Sequence, residues 1–202
     1  MHLRSGDLSG DLRNADLRNA DLSYANLRDL DLSYAVLCDA DLSNANLTNV
    51  NLTSADLRGV DLADTNFIYA DLSYVNVCGV DFTDTDLNYT NLRYADLSYA
   101  KLTGTILRGA NLIGAKLTGT NLTGANLTSA KLRNADLTSA DLTSADLSYA
   151  DLSYADLRDT NLTGADLRNV NLMNADLTGA DLTGVNLTGA DLIDTKFDIV
   201  AG

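Results

Sequence analysis

The sequence predicts an all-β solenoid, a chain that coils around an axis filled by its own side chains. Three observations predict it. Leucine returns at every fifth position, Asp or Asn almost always stands just before it, and the residues that favour helices are missing. Residues 135 to 158, ADLTSADLTSADLSYADLSYADLR, show the unit plainly.

The leucine is the centre of the unit. From Leu12 to Phe197 the centres follow one another without a slip through 38 consecutive pentapeptides. Of these, 34 are Leu, and Phe67, Val77, Phe82 and Phe197 fill the rest. Asp or Asn precedes the centre in 32 units, and Ala stands two before it in 23, so both positions belong to the repeat itself. On a helix, five residues advance roughly 500°, about 140° past a full turn, so successive leucines would point all round the cylinder. On a flat strand, residues five apart fall on opposite faces. The leucines share one interior only if the chain turns a corner once per pentapeptide. Asp, Asn and Gly suit such frequent turns. Proline is absent, as expected where each backbone N–H must bond to the next coil. The centre and the small residue two before it then face inward, and the other three positions face water.

Composition agrees. The chain has no Glu or Gln among 202 residues, and its Asp, Asn, Ser, Thr and Gly are poor helix formers. A hydrophobic fraction of 46% is ample for a core. All 28 acidic residues are aspartate, and with 14 Lys and Arg they leave a net charge of −14. Such a surface repels nucleic acid phosphates, so direct nucleic acid binding is not expected, and basic protein partners are favoured. No stretch approaches the length of a membrane span or the apolar run of a signal peptide, so a soluble, cytoplasmic protein is expected.

The pattern A(D/N)LXX resembles the pentapeptide repeat family, over about nine tenths of the chain. The very regular Ala-Asp-Leu type is similar to members common in cyanobacteria. The resemblance implies a right-handed quadrilateral β-helix with twenty residues per coil, hence about 9.5 coils. At ~4.8 Å per coil the rod is about 45 Å long.

Residues 1–10 break the phase and read as an imperfect first coil or cap, ahead of one continuous helix over 11–199. Composition shifts near residue 100. Seven of the nine tyrosines and ten of the fourteen net negative charges fall before it, and most in-repeat glycines after it, but the phase holds, so no structural break is expected. At the carboxyl end, Phe197, Ile199 and Val200 either cover the last coil or form an apolar contact, such as an end-to-end homodimer.

Adding twenty to a residue number gives its neighbour on the next coil. Asp21, Asp41, Asp61 and Asp81 form one column, with Asp64 and Asp84 on the same side, and this is a candidate charged face for a basic partner. Carboxylates at that spacing repel by about 1 kcal/mol even in water. The competing reading is that each aspartate shapes its own turn, and it is preferred because Asp or Asn recurs there throughout. Tyr69 stacks under Tyr89 and Tyr74 under Tyr94, a candidate recognition patch. The preferred reading is that the rings brace the ladder.

Catalytic chemistry is thin. The only histidine is His2, so histidine acid–base catalysis and histidine-paired nucleophiles have no place in the array. A filled rod supplies no cleft to dry a carboxylate pair. Cys38 and Cys78 stand two coils apart with Arg58 between them, beyond disulfide reach and too few for a zinc site. No catalytic residue, metal site or cofactor is expected. The chain reads as a scaffold or protein-interaction module with an unknown protein partner. The resemblance also implies an alternative, an acidic DNA mimic that binds DNA gyrase or another topoisomerase, as a quinolone-resistance factor or a toxin-like inhibitor. The absence of a carboxyl-terminal dimerisation helix and of any loop interrupting the repeats counts against that alternative.

Overall fold

A computed structural model describes residues 12–198. The proposed cap at 1–10 and two of the carboxyl-terminal residues, Ile199 and Val200, lie outside the described residues.

Each residue before a centre pairs in parallel with the residue twenty further on, from Asp16 with Val36 to Asp176 with Lys196. Twenty residues therefore make one coil of four sides. The fold is the right-handed quadrilateral β-helix, with no helix among the described residues. Three backbone donors per pentapeptide build the ladder. Around Leu22, its amide reaches the Asp41 carbonyl at 2.8 Å, Tyr24 reaches Ser43 at 2.9 Å, and Asp41 reaches back to Ala20 at 2.9 Å.

The corners explain the composition. Within each unit the amide three after the centre bonds the centre's carbonyl, as Ala25 does to Leu22 at 3.0 Å. The residue two after the centre has positive φ at every unit from Asn14 to Asp194, the demand of a type II turn. Asn, Asp, Ser and Gly suit that position, whereas all nine tyrosines also sit there, with φ between 56° and 61°. The Asp or Asn before the centre holds the turn from outside. Its Oδ1 accepts the amide two residues on, as in Ser43 N to Asp41 at 2.9 Å and Ile68 N to Asn66 at 2.9 Å. A longer Glu side chain would not close this short ring, which accounts for its absence.

Inside, the leucines from Leu22 to Leu172 are at most 2% exposed, apart from Leu30, which is not a centre, and alanines fill the space beside them. At five of the seven described threonines that replace the small residue, Thr65, Thr90, Thr105, Thr120 and Thr195, the hydroxyl bonds a centre carbonyl of the neighbouring coil. Thr90 reaches Phe67 and Thr120 reaches Leu97, at 3.0 and 2.9 Å, so the buried hydroxyl is satisfied. One expectation is corrected. The residue after the centre does not always face water: Ser23, Ser33, Ser73, Ser148 and Ser153 are buried, and each is followed by a corner tyrosine. Ser23 and Ser73 turn their hydroxyls onto Asp21 and Asp71 at 2.6 Å, but Ser43 makes the same bond to Asp41 without being buried, so the bond is not the cause of the burial. The ladder runs on through the composition change near residue 100, with Leu92 N to Asn111 O at 2.7 Å and Leu97 N to Lys116 O at 2.8 Å. In the last coil the lining loses its cover, and Leu192 and Phe197 are 38% and 37% exposed.

Candidate interaction surface

The acidic column divides into two parts. Asp21 and Asp41 are half-buried, and their Oδ1 atoms accept from Ser23 and Ser43, at 2.6 Å from each hydroxyl. Asp61 and Asp81 are exposed, as are the corner residues Asp64 and Asp84. Asp81 also accepts from Lys101 Nζ at 3.3 Å, which ends the column with a positive charge. The bonds from Thr83, assisted by Lys101, hold the Asp81 carboxyl below the usual carboxylate range. All four members of the column hold their own turns, Asp61 through the Ala63 amide at 3.1 Å and Asp81 through the Thr83 amide at 3.0 Å. The difference is one of exposure: Asp61 and Asp81 stand exposed beside the exposed Asp64 and Asp84.

That cluster flanks a feature the periodicity did not announce. A surface cleft of about 440 Å³ lies between two coils, lined by Gly59 to Ala63 with Asp81 and Thr83. A signal for it exists in the sequence, because three of the four non-leucine centres, Phe67, Val77 and Phe82, fall together here.

The tyrosines form two stacks. Tyr69 and Tyr89 lie with centroids 5.3 Å apart and planes 13° apart, and Tyr74 and Tyr94 at 5.1 Å and 25°. Each ring keeps about half of its surface exposed. The inner faces of each pair cover one another, Arg93 sits 5.4 Å from the Tyr94 centroid, and Tyr89 and Tyr94 abut Gly109 and Gly114 on the next coil.

Elsewhere, a minority of the acids are matched by neighbouring cations. Arg18, Arg58, Arg158 and Arg168 fold back on Asp16, Asp56, Asp156 and Asp166, each pair at 2.6 Å. Arg58 also lies 4.0 Å from the Cys38 sulfur. Cys38 and Cys78 are free thiols, and burial pushes the Cys38 thiol up. Among the described residues no three His, Cys, Asp or Glu side chains gather as metal ligands, and no helix is long and apolar enough to cross a membrane. At the carboxyl end, Phe197 helps line a second cleft of about 480 Å³ with Leu177, Ala180 and Leu182. There the Asp198 side chain takes the Gly179 amide at 2.7 Å, replacing a coil-to-coil bond.

The family model for pentapeptide repeats matches the chain in eight overlapping copies, from residues 11–49 to residues 160–198. The chain is similar to the crystal structure of HetL, a pentapeptide repeat protein involved in heterocyst differentiation regulation in the cyanobacterium Nostoc sp. strain PCC 7120. Identity there is 30%, over 94% of this chain and 93% of HetL, with a TM-score of 0.42. It is similar as well to QnrB1, a plasmid-mediated fluoroquinolone resistance protein, at 21% identity over 85% and 86% of the two chains and a TM-score of 0.45. A pentapeptide repeat protein of the Arabidopsis thaliana thylakoid lumen is 35% identical over 58% of this chain and 68% of its own, with a TM-score of 0.26. No curated protein sequence matches the chain.

Proposed function

This chain belongs to the pentapeptide repeat family, and on that premise we propose that it is a non-catalytic rod, a scaffold that binds protein through its outer columns. One observation carries the reading: no ionisable side chain among the described residues is buried, so the chemistry of the molecule lies on its outside. Residues 11–199 act as one unit in the cytoplasm. The partner is a protein with a basic surface, which meets Asp61, Asp64, Asp81 and Asp84, while Tyr69, Tyr74, Tyr89 and Tyr94 supply a second contact. Direct nucleic acid binding plays no part. The last coil, through Phe197, joins two copies end to end. The test is capture of partners by the full chain, compared with Asp61→Asn/Asp81→Asn and with Tyr74→Ala/Tyr94→Ala. A partner retained by the parent chain and lost with the acidic pair at raised salt supports the reading. Equal retention by all three chains would sink the assignment of these columns.

A second reading is an acidic mimic of duplex DNA acting on gyrase or another topoisomerase, as a protective factor or an inhibitor. The net charge of −14 favours it. The folding back of arginines onto aspartates along the rod weakens it, since a phosphate backbone is uniformly charged. A supercoiling assay with purified gyrase decides: neither inhibition nor quinolone protection over a wide concentration range removes this reading.

A further inference from the structure

Between the end coils the ladder is complete except at one place. Four amides, those of Leu57, Gly59, Leu62 and Asp64, do not reach the carbonyls of Asn76, Cys78, Asp81 and Thr83 on the next coil. In return, Asn76, Asp81 and Asp86 do not reach Ala55, Val60 and Thr65. A side-chain bond fails there too. Thr65, Thr90, Thr105, Thr120 and Thr195 each bond the centre carbonyl 23 residues earlier, whereas Thr85 does not reach Leu62. Outside the opening, among the described residues, Thr160 alone turns instead to its own centre, Leu157. Asp56 still pairs with Asn76, and Asn66 with Asp86, so the contacts of Leu57, Asn76 and Asp86 are weakened rather than lost, whereas Asp61 does not pair with Asp81 at all. The opening is therefore centred on the side that carries Asp61 and Asp81, and the cleft fills it.

The opposite side of the same two coils is tightly closed. Leu52 N reaches Asp71 O at 2.7 Å, and Ser54 N reaches Ser73 O at 2.9 Å. Of the two sides between, the one carrying Leu57 and Gly59 is open as well, and on the other the bonds are long, at 3.1 Å from Phe67 to Asp86 and 3.2 Å from Tyr69 to Asn88. Two adjacent sides open, a third with lengthened bonds and a fourth closed is the geometry of a hinge.

Two causes compete, and neighbouring coils separate them. Stacked aspartates alone do not part the ladder, because Asp41 over Asp61 keeps Leu42 N to Asp61 O at 2.9 Å. A bulky pair at the small position alone does not either, since Leu30 over Val50 keeps its bond to Asn51 at 2.9 Å. What distinguishes the opening is phenylalanine added to valine. Phe67 and Phe82 are wholly buried and meet with centroids 6.3 Å apart, beside Val60 over Val80. Excess interior volume forces backbone shifts. We infer that the seam between residues 55–65 and 76–86 is a bending joint, wedged open by Phe67 and Phe82 and hinged on the Leu52–Leu72 side. Bending there changes the spacing of Asp61 and Asp81, while Asp21, Asp41 and Asp61 stay fixed to one another.

Amide hydrogen exchange on the full chain tests this. The seven amides should exchange about tenfold or more faster than those of Leu52, Ser54, Leu97 and Tyr99, as local opening requires. Phe82→Leu with Val80→Ala should protect them, and Asp61→Asn with Asp81→Asn should not. Exchange in the parent chain as slow as at the flanking amides overturns the joint, and protection by the charge variant alone overturns the wedge. Independently of whether the packing variant folds, spin labels at Ala63 and Thr103, with Cys38 and Cys78 replaced by serine, should give a broader distance distribution than labels at Thr123 and Thr163. Equal widths would leave the seam as rigid as the rest of the rod.

Discussion

The ring of Tyr89 rests against Gly109 of the next coil, so closely that a Cβ on that glycine would stand 2.7 Å from the ring. Tyr99 meets Gly119 in the same way. This gives the composition change near residue 100 a physical form: Tyr89, Tyr94 and Tyr99, three successive corners, each lie against a glycine corner, Gly109, Gly114 and Gly119, on the next coil.

Gly109→Ala should therefore destabilise the rod for two reasons that can be separated. An alanine at its φ of +64° costs about 1–2 kcal/mol, and its Cβ also strikes the ring. Chemical denaturation of the single variants and of Gly109→Ala with Tyr89→Ala measures both. The double variant should recover the clash and keep the backbone cost. A loss in the double variant equal to the sum of the two single losses would mean that ring and glycine do not interact.

Core substitutions should show a gradient towards the carboxyl end. Leu97 is fully buried, and Leu97→Ala should cost about 2–5 kcal/mol. Leu192 sits in the uncovered last coil at 38% exposure, so Leu192→Ala should cost well under half as much. Thermal melts of the two variants check this, and equal losses would mean that the last coil is covered in solution.

The architecture was legible because a period of five leaves leucine no shared interior without a corner in every unit. The number of sides was not, because it depends on which carbonyl meets the Leu22 amide, and a five-residue period is equally compatible with three sides or four. Left-handed corners were half legible. Asn14, Asp39 and Gly59 suggest them, whereas Tyr24 and Tyr74 are bulky side chains that ordinarily avoid such φ values. Of the candidate surface, the columns followed from arithmetic alone. The seam did not, because Val60, Val80, Phe67 and Phe82 each fit the repeat singly, and only their summed volume inside one pair of coils parts the backbone.

Acid should reveal the folded-back arginines. The two-bond grip of Arg58 on Asp56, through Nε at 2.8 Å and Nη2 at 2.6 Å, holds the Asp56 carboxyl down to about 2 against the opposing effect of burial. A depressed carboxylate stabilises the fold above its unfolded value near about 3.9, and that contribution is lost as pH falls through the folded value. Asp56→Asn keeps the turn acceptor and removes the charge. It should cost up to about 1 kcal/mol at neutral pH, and the gap should close between roughly pH 4 and pH 2. A gap that stays constant through this window would assign the loss to something other than the ion pair.

Association at the carboxyl end makes a last prediction. A solenoid's final coil presents unpaired backbone and an uncovered apolar lining, which must be capped or joined. Here the lining includes Leu192 and Phe197, with Ile193 beside them at 58% exposure. If two copies meet there, sedimentation of the full chain should show a concentration-dependent dimer. Phe197→Asp should abolish it by placing a charge in the apolar contact, while Asp61→Asn leaves it intact because the acidic side is remote from the end face. Ile193→Asp is the second probe, since an exposed corner residue tolerates the change without loss of fold. A chain monomeric at every concentration, with Phe197→Asp lowering its melting temperature, would instead mean that the end residues fold over their own coil.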